Sequence, residues 1–153
     1  MGTHTEVGCR IELPGGSLGK AAGKLPEAGP TDLTYRFPLG TVTVEGGGAV
    51  FSVGQVTVFD FARVMPLALD ELPEKGKAAY EFTEGEGTLL MAARPDRRIS
   101  VTADFEDGEI VCGYEALREA VYGAARGLLH LIRAESPAAL RNPHIAKLAA
   151  ALR

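Results

Sequence analysis

The chain has no tryptophan, two cysteines and three histidines among 153 residues. Cys9 and Cys112 alone build neither a disulfide framework nor a cysteine zinc site, so both are expected as free thiols buried on strands. His4, His130 and His144 contain no pair at i and i+4. A helical zinc motif is therefore absent, and no metal is expected. Surplus positive charge is also missing: 16 Lys+Arg against 20 Asp+Glu leave a net charge of −4. Nucleic-acid and anionic-membrane binders need cations that displace phosphate counterions, so neither partner is expected. No apolar run approaches the roughly 20 residues that span a bilayer. Met1 to Arg10 lacks the cationic start and apolar stretch of an export signal. The expectation is a soluble cytoplasmic protein without a cofactor.

What is present is globular. Hydrophobic residues make up 46% and charged residues 24%, which excludes wholesale disorder. Splitting a chain of this length would leave two marginal cores, so residues 1–153 are expected to form a single domain. Val7 to Leu13 alternates as a first strand. Pro14 to Pro30 carries five glycines and three prolines without apolar periodicity, and reads as a long flexible Gly/Pro-rich loop. Leu33, Tyr35, Phe37 and Leu39 then share one face at period two, followed by strands at Thr41 to Glu45 and Ala49 to Val53 around a glycine turn. Thr57 fits a helix N-cap with Asp60 reaching back to free amides. Phe61, Met65, Ala68 and Leu72 continue at helical spacing, with a kink or restart expected at Pro66.

A second meander follows, turning at Gly85, at Pro95-Asp96-Arg97 and at Asp107-Gly108. Within it Thr88 to Ala93 is apolar on both faces, the pattern of an interior strand covered on each side. Tyr114 to Ala134 forms the most regular helix, with Leu117, Val121, Ala124, Leu128 and Leu131 on one stripe. Ala116, Ala120, Gly123 and Gly127 make a second stripe of very small side chains. Each helical glycine costs roughly 1 kcal/mol against alanine. Another backbone is therefore expected close by, from the protein's own sheet or from a second copy. Asn142-Pro143 opens a last helix with Ile145, Leu148, Ala149 and Leu152 inward. The predicted class is α+β: antiparallel meander sheets with a middle helix and two C-terminal helices packed on one face.

Chemical motifs fail on context. Gly15-Gly16-Ser17-Leu18-Gly19 matches the G-x-S-x-G nucleophile elbow, but no helical face follows it and the strands connect as hairpins. Gly19-Lys20 and Gly23-Lys24 lack both the earlier glycine and the following hydroxyl of a phosphate loop. A general base at His130 has no partner in the pattern, and no catalytic residue is assigned. Glu81, Glu84 and Glu86 crowd one predicted turn; Asp104, Glu106, Asp107 and Glu109 crowd another, without calcium-loop spacing. Polar turns are ordinarily just solvated. If the two turns share one end of the sheet, they form an acidic patch suited to a cationic partner, with Arg94, Arg97 and Arg98 at the opposite end.

The second half of the chain resembles small uncharacterised bacterial α+β proteins of the polymorphic-toxin immunity type. The resemblance is carried by the run Tyr80 to Gly87, the strand Ile99-Ser100-Val101, Tyr114-Glu115-Ala116-Leu117 and the Ser136-Pro137 and Asn142-Pro143 pairs. It covers about half the chain and concerns layout, so no functional residue is carried over. It implies a non-catalytic protein-binding module that neutralises a partner through its acidic surface. The alternative is a small-ligand-binding or biosynthetic helper enzyme, with a pocket between sheet and helices gated by the Pro14 to Pro30 loop. Homodimerisation through Gly123 and Gly127 is compatible with either.

Overall fold

A computed structural model of the chain describes residues 7–83 and 86–152. Its architecture is α+β, with two antiparallel sheets. The first sheet has the order β1 (Val7–Glu12), β2 (Leu39–Gly46), β3 (Ala49–Thr57). Its hairpin closes at Gly47 and Gly48, whose φ values of +57° and +88° suit the right-handed twist of paired strands and favour glycine. The second sheet runs β4 (Lys77–Phe82), β5 (Gly87–Ala93), β6 (Arg98–Ala103), β7 (Ile110–Gly113), each strand pairing with the next. Alternation decides the inward faces. Val42, Val44, Phe51 and Val53 are buried from the first sheet; Tyr80, Phe82, Leu89, Met91, Ile99 and Val101 are buried from the second.

Among the described residues, five α-helices complete the fold: α1 (Ala21–Lys24), α2 (Pro30–Tyr35), α3 (Val58–Lys75), α4 (Tyr114–Glu135) and α5 (Pro143–Ala151). α3 packs on β4 and against α4, and α4 packs on β1. α3 runs through Pro66 as one helix, because Phe61, Met65, Leu69 and Leu72 are all fully buried along it. That burial offsets the backbone hydrogen bond a proline removes. Gly76, left-handed at φ +77°, stops the helix and returns its N–H to the Leu72 carbonyl at 2.8 Å. The expected cap at Thr57 is replaced by tertiary bonds. Its hydroxyl donates to the Thr34 carbonyl and lies 3.2 Å from the Thr83 hydroxyl. Asp60 likewise turns inward to Tyr80 rather than back to the first amides. Asn142 does cap α5, accepting from the His144 N–H at 3.0 Å.

Two expectations for the segment between β1 and β2 are corrected. Residues 14–30 fold into short helical turns, with Leu18, Leu25 and Ala28 buried, instead of a loose connection. Side chains from the far end of the chain fasten them. The Asn142 amide donates to the Leu25 and Ala28 carbonyls at 2.9 and 2.8 Å, and the Ser136 hydroxyl donates to the Ala22 carbonyl. Glu135 accepts from the Leu18 N–H at 2.7 Å and from the Ser17 hydroxyl at 2.9 Å. The period-two pattern at Leu33 to Phe37 is not a strand. Residues 30–35 are helical, with Pro30 in the first turn and Asp32 accepting from the Gly29 N–H.

The small-residue stripe of α4 is also corrected. A Cβ added at Gly123 or Gly127 meets nothing within 4 Å, so among the described residues no other backbone approaches them. Gly87 is the opposite case. It sits at φ +130°, and an added Cβ would overlap the Phe105 ring. Gly123→Ala and Gly127→Ala are therefore expected to raise unfolding free energy by about 1 kcal/mol each. Gly87→Ala is expected to lower it by about 1–3 kcal/mol. Chemical denaturation of the three variants checks both signs.

Cys9 and Cys112 are free thiols on different sheets. Burial pushes Cys9 up to about 12 and Cys112 up to about 11, from an ordinary value of 9.0. The folded state thus prefers both thiols protonated. This contribution is fully present below pH 9 and is lost as pH climbs toward 11 and 12. Burial and the Asp60 hydrogen bond raise the Tyr80 phenol as well, adding to the same alkaline loss. Thermal midpoints measured across this range should fall above pH 9, and a Cys9→Ala, Cys112→Ala double variant should fall less steeply. An equal slope in the variant would assign the loss to other groups.

Candidate functional site

The second sheet has one covered face and one open face. Its register places Ala79 opposite Leu90 and Leu90 opposite Thr102; the next row is Lys77, Ala92, Ser100 and Val111. Residues that alternate with these point into the core. Leu89 and Met91 are buried, whereas Leu90 is 44% exposed and Ala92 is open to solvent. The expectation that β5 is covered on both sides is therefore overturned. Small side chains leave a shallow depression of about 380 Å³ there, lined by Ala79, Leu90, Ala92, Ser100 and Thr102 among others.

Charge is distributed unevenly around this face. Strand order puts the β4–β5 and β6–β7 connections at one end and the β5–β6 connection at the other. Glu81 stands next to the acidic end, opposite Thr88. Asp104 joins it, accepting from the Thr88 N–H at 2.8 Å. Glu86, Glu106 and Asp107 are exposed at the same end, and Glu84 lies outside the described residues. Glu109 departs from the group. Its carboxylate accepts from the Ser100 hydroxyl at 2.5 Å and lies 3.8 Å from the Arg94 guanidinium. The arginine end is partly self-neutralised, since Asp96 pairs with Arg94 at 3.4 Å. The Arg98 backbone N–H, aided by the Arg94 charge, holds the Asp96 carboxyl below the ordinary carboxylate range.

The acidic end is anchored from below. The Phe105 ring packs edge-on to Phe51 and Phe82, at centroid distances of 6.4 and 6.3 Å. Gly108 lies against Ala49 of the first sheet, 3.2 Å from an added Cβ. Aromatic edge contacts of this kind hold the β6–β7 connection in place, so its carboxylates are displayed on a supported loop.

Other sequence-marked residues find structural employment. The Ser17 hydroxyl meets a carboxylate and not an imidazole. Gly127 and His130 line a wide groove of about 450 Å³ between β1 and α4. Among the described residues, no group of three His, Cys, Asp or Glu is arranged to hold a metal ion. No described helix is long and apolar enough to cross a membrane. Tyr122 and Arg126 of α4 tie that helix to α3 and to the residue after α5. The Tyr122 hydroxyl donates to Asp70 of α3 at 3.2 Å under the Arg118 guanidinium, 4.1 Å from the ring centroid, while Arg126 holds the Leu152 carbonyl.

Sequence reasoning missed a third recess. α2, α3 and α5 enclose about 250 Å³ bordered by Arg63, His144 and Lys147. Reading residues 33–39 as a strand hid it. The signal that would have exposed it is Pro30 followed two residues later by Asp32, a helix start. Comparisons of the chain with protein-family models, with curated proteins and with solved structures find no match.

Proposed function

We propose that this chain is a non-catalytic binding protein that docks a partner protein on the open face of its second sheet. The single observation behind this reading is Leu90, a large aliphatic side chain 44% exposed at the centre of a sheet face that no helix covers. Apolar surface at the middle of a patch with a polar rim is the usual anatomy of a protein contact. The acidic end, at Glu81, Glu86 and Asp104, favours a partner whose matching surface is cationic. The resemblance to immunity-type proteins agrees with that chemistry, and makes the partner a toxin neutralised in the cytoplasm.

Leu90→Asp and Glu81→Lys test the reading on a purified partner, recovered with the native chain and encoded next to it. Both variants should keep native circular dichroism. Leu90→Asp should weaken binding about thirtyfold, the effect of losing a central contact of about 2 kcal/mol. Equal affinity in both variants would remove this face from the function. A second copy docking at Gly123 and Gly127 is compatible with the same reading. There Gly127→Leu should shift the gel-filtration position, and an unchanged position would remove the homodimer.

A further inference from the structure

We propose that the recess between α2, α3 and α5 binds an amphipathic carboxylate of medium chain length. α3 brings Phe59, Arg63 and Leu67 to one side at four-residue spacing, and α5 brings His144, Lys147 and Leu148 to the other. Phe59 and Leu148 are buried and form an apolar floor. Leu67, at the mouth, is 55% exposed. About 250 Å³ is below the range of roughly 300–1,000 Å³ typical of drug-sized ligands, which suits a single aliphatic chain.

The rim fixes the head group. Arg63, His144 and Lys147 border the recess and no acidic side chain does, in a chain whose net charge is −4. Among the described residues, neither Lys147 nor His144 enters an ion pair. Arg63 is preoriented from behind. One of its terminal nitrogens donates to Asp60 at 3.3 Å, and Asp60 is held in turn by the Tyr80 hydroxyl at 2.7 Å. Its remaining donors stay available for a second carboxylate. A small anion alone would leave Leu67 and the floor uncovered. A neutral chain would leave the cations unanswered. The two halves of the recess ask for one molecule carrying both features.

Calorimetry with decanoate, below its micelle concentration, tests the proposal, with amide shifts from ¹H–¹⁵N spectra locating the site. Decanoate should bind with shifts centred on Phe59, Leu67, Lys147 and Leu148. Decanol, acetate and decyltrimethylammonium should each bind at least about tenfold more weakly, since 1.4 kcal/mol is a factor of ten. Lys147→Glu, a change at an exposed position, should weaken decanoate about tenfold, whereas Leu90→Asp should leave it unchanged and so keeps this test separate from partner docking. Equal binding of decanol and decanoate, full retention by Lys147→Glu, or shifts spread over the open face of the second sheet would each overturn the proposal.

Discussion

The hydrogen bond from the Tyr80 hydroxyl to the Asp60 carboxylate, 2.7 Å long and buried, fixes how the central helix lies on the second sheet. A carboxylate taken out of water is costly unless its oxygens are answered. Here one oxygen takes the phenol and the other takes Arg63. Around this pair Phe61 stacks on Phe82 and meets Tyr80 edge-on, at centroid distances of 6.0 and 5.2 Å. Apolar area brings helix and sheet together; the polar pair selects one rotation of the helix, because any other leaves a charge buried without a partner. The covered and uncovered faces of the sheet follow from that choice.

The same carboxylate links the core to the surface recess. By holding Arg63, Asp60 carries a constraint from the aromatic cluster to a cation facing solvent. The two proposed surfaces therefore share a support while lying on different elements: one on the outward side chains of β4, β5 and β6, the other on three helices.

Much of this was readable from local pattern. Alternation at Val42 to Val44, Tyr80 to Phe82 and Ile99 to Val101, with the glycine and Asp-Gly turns, identified the hairpins, and the Asn142-Pro143 pair identified α5 and its cap. The misreadings have specific causes. Leu33, Tyr35 and Phe37 alternate with polar residues, but the Pro30 and Asp32 start signal governs that stretch. Residues 14–30 lack periodicity, and what orders them is a set of side-chain bonds from residues more than a hundred positions away. No local pattern encodes such a partner. For the candidate site, the two-sided apolarity of β5 was legible, but whether a layer lies over it depends on how many helices the chain supplies. Whether the acidic turns share one end was left open by the local pattern and is decided by strand order, and Glu109 left the group through a side-chain bond that strand order does not determine.

Asn142 has a consequence that reaches back to synthesis. Its amide answers carbonyls of residues made 114 and 117 positions earlier. While the intervening codons are still being read, the Ala28 carbonyl lacks the partner it has in the fold, and the Leu25 carbonyl keeps only the Ala28 N–H. The turns of residues 14–30 are therefore fastened only once residues 135–142 have been made. Ordering of residues 14–30 thus follows synthesis of the corner between α4 and α5 that answers them.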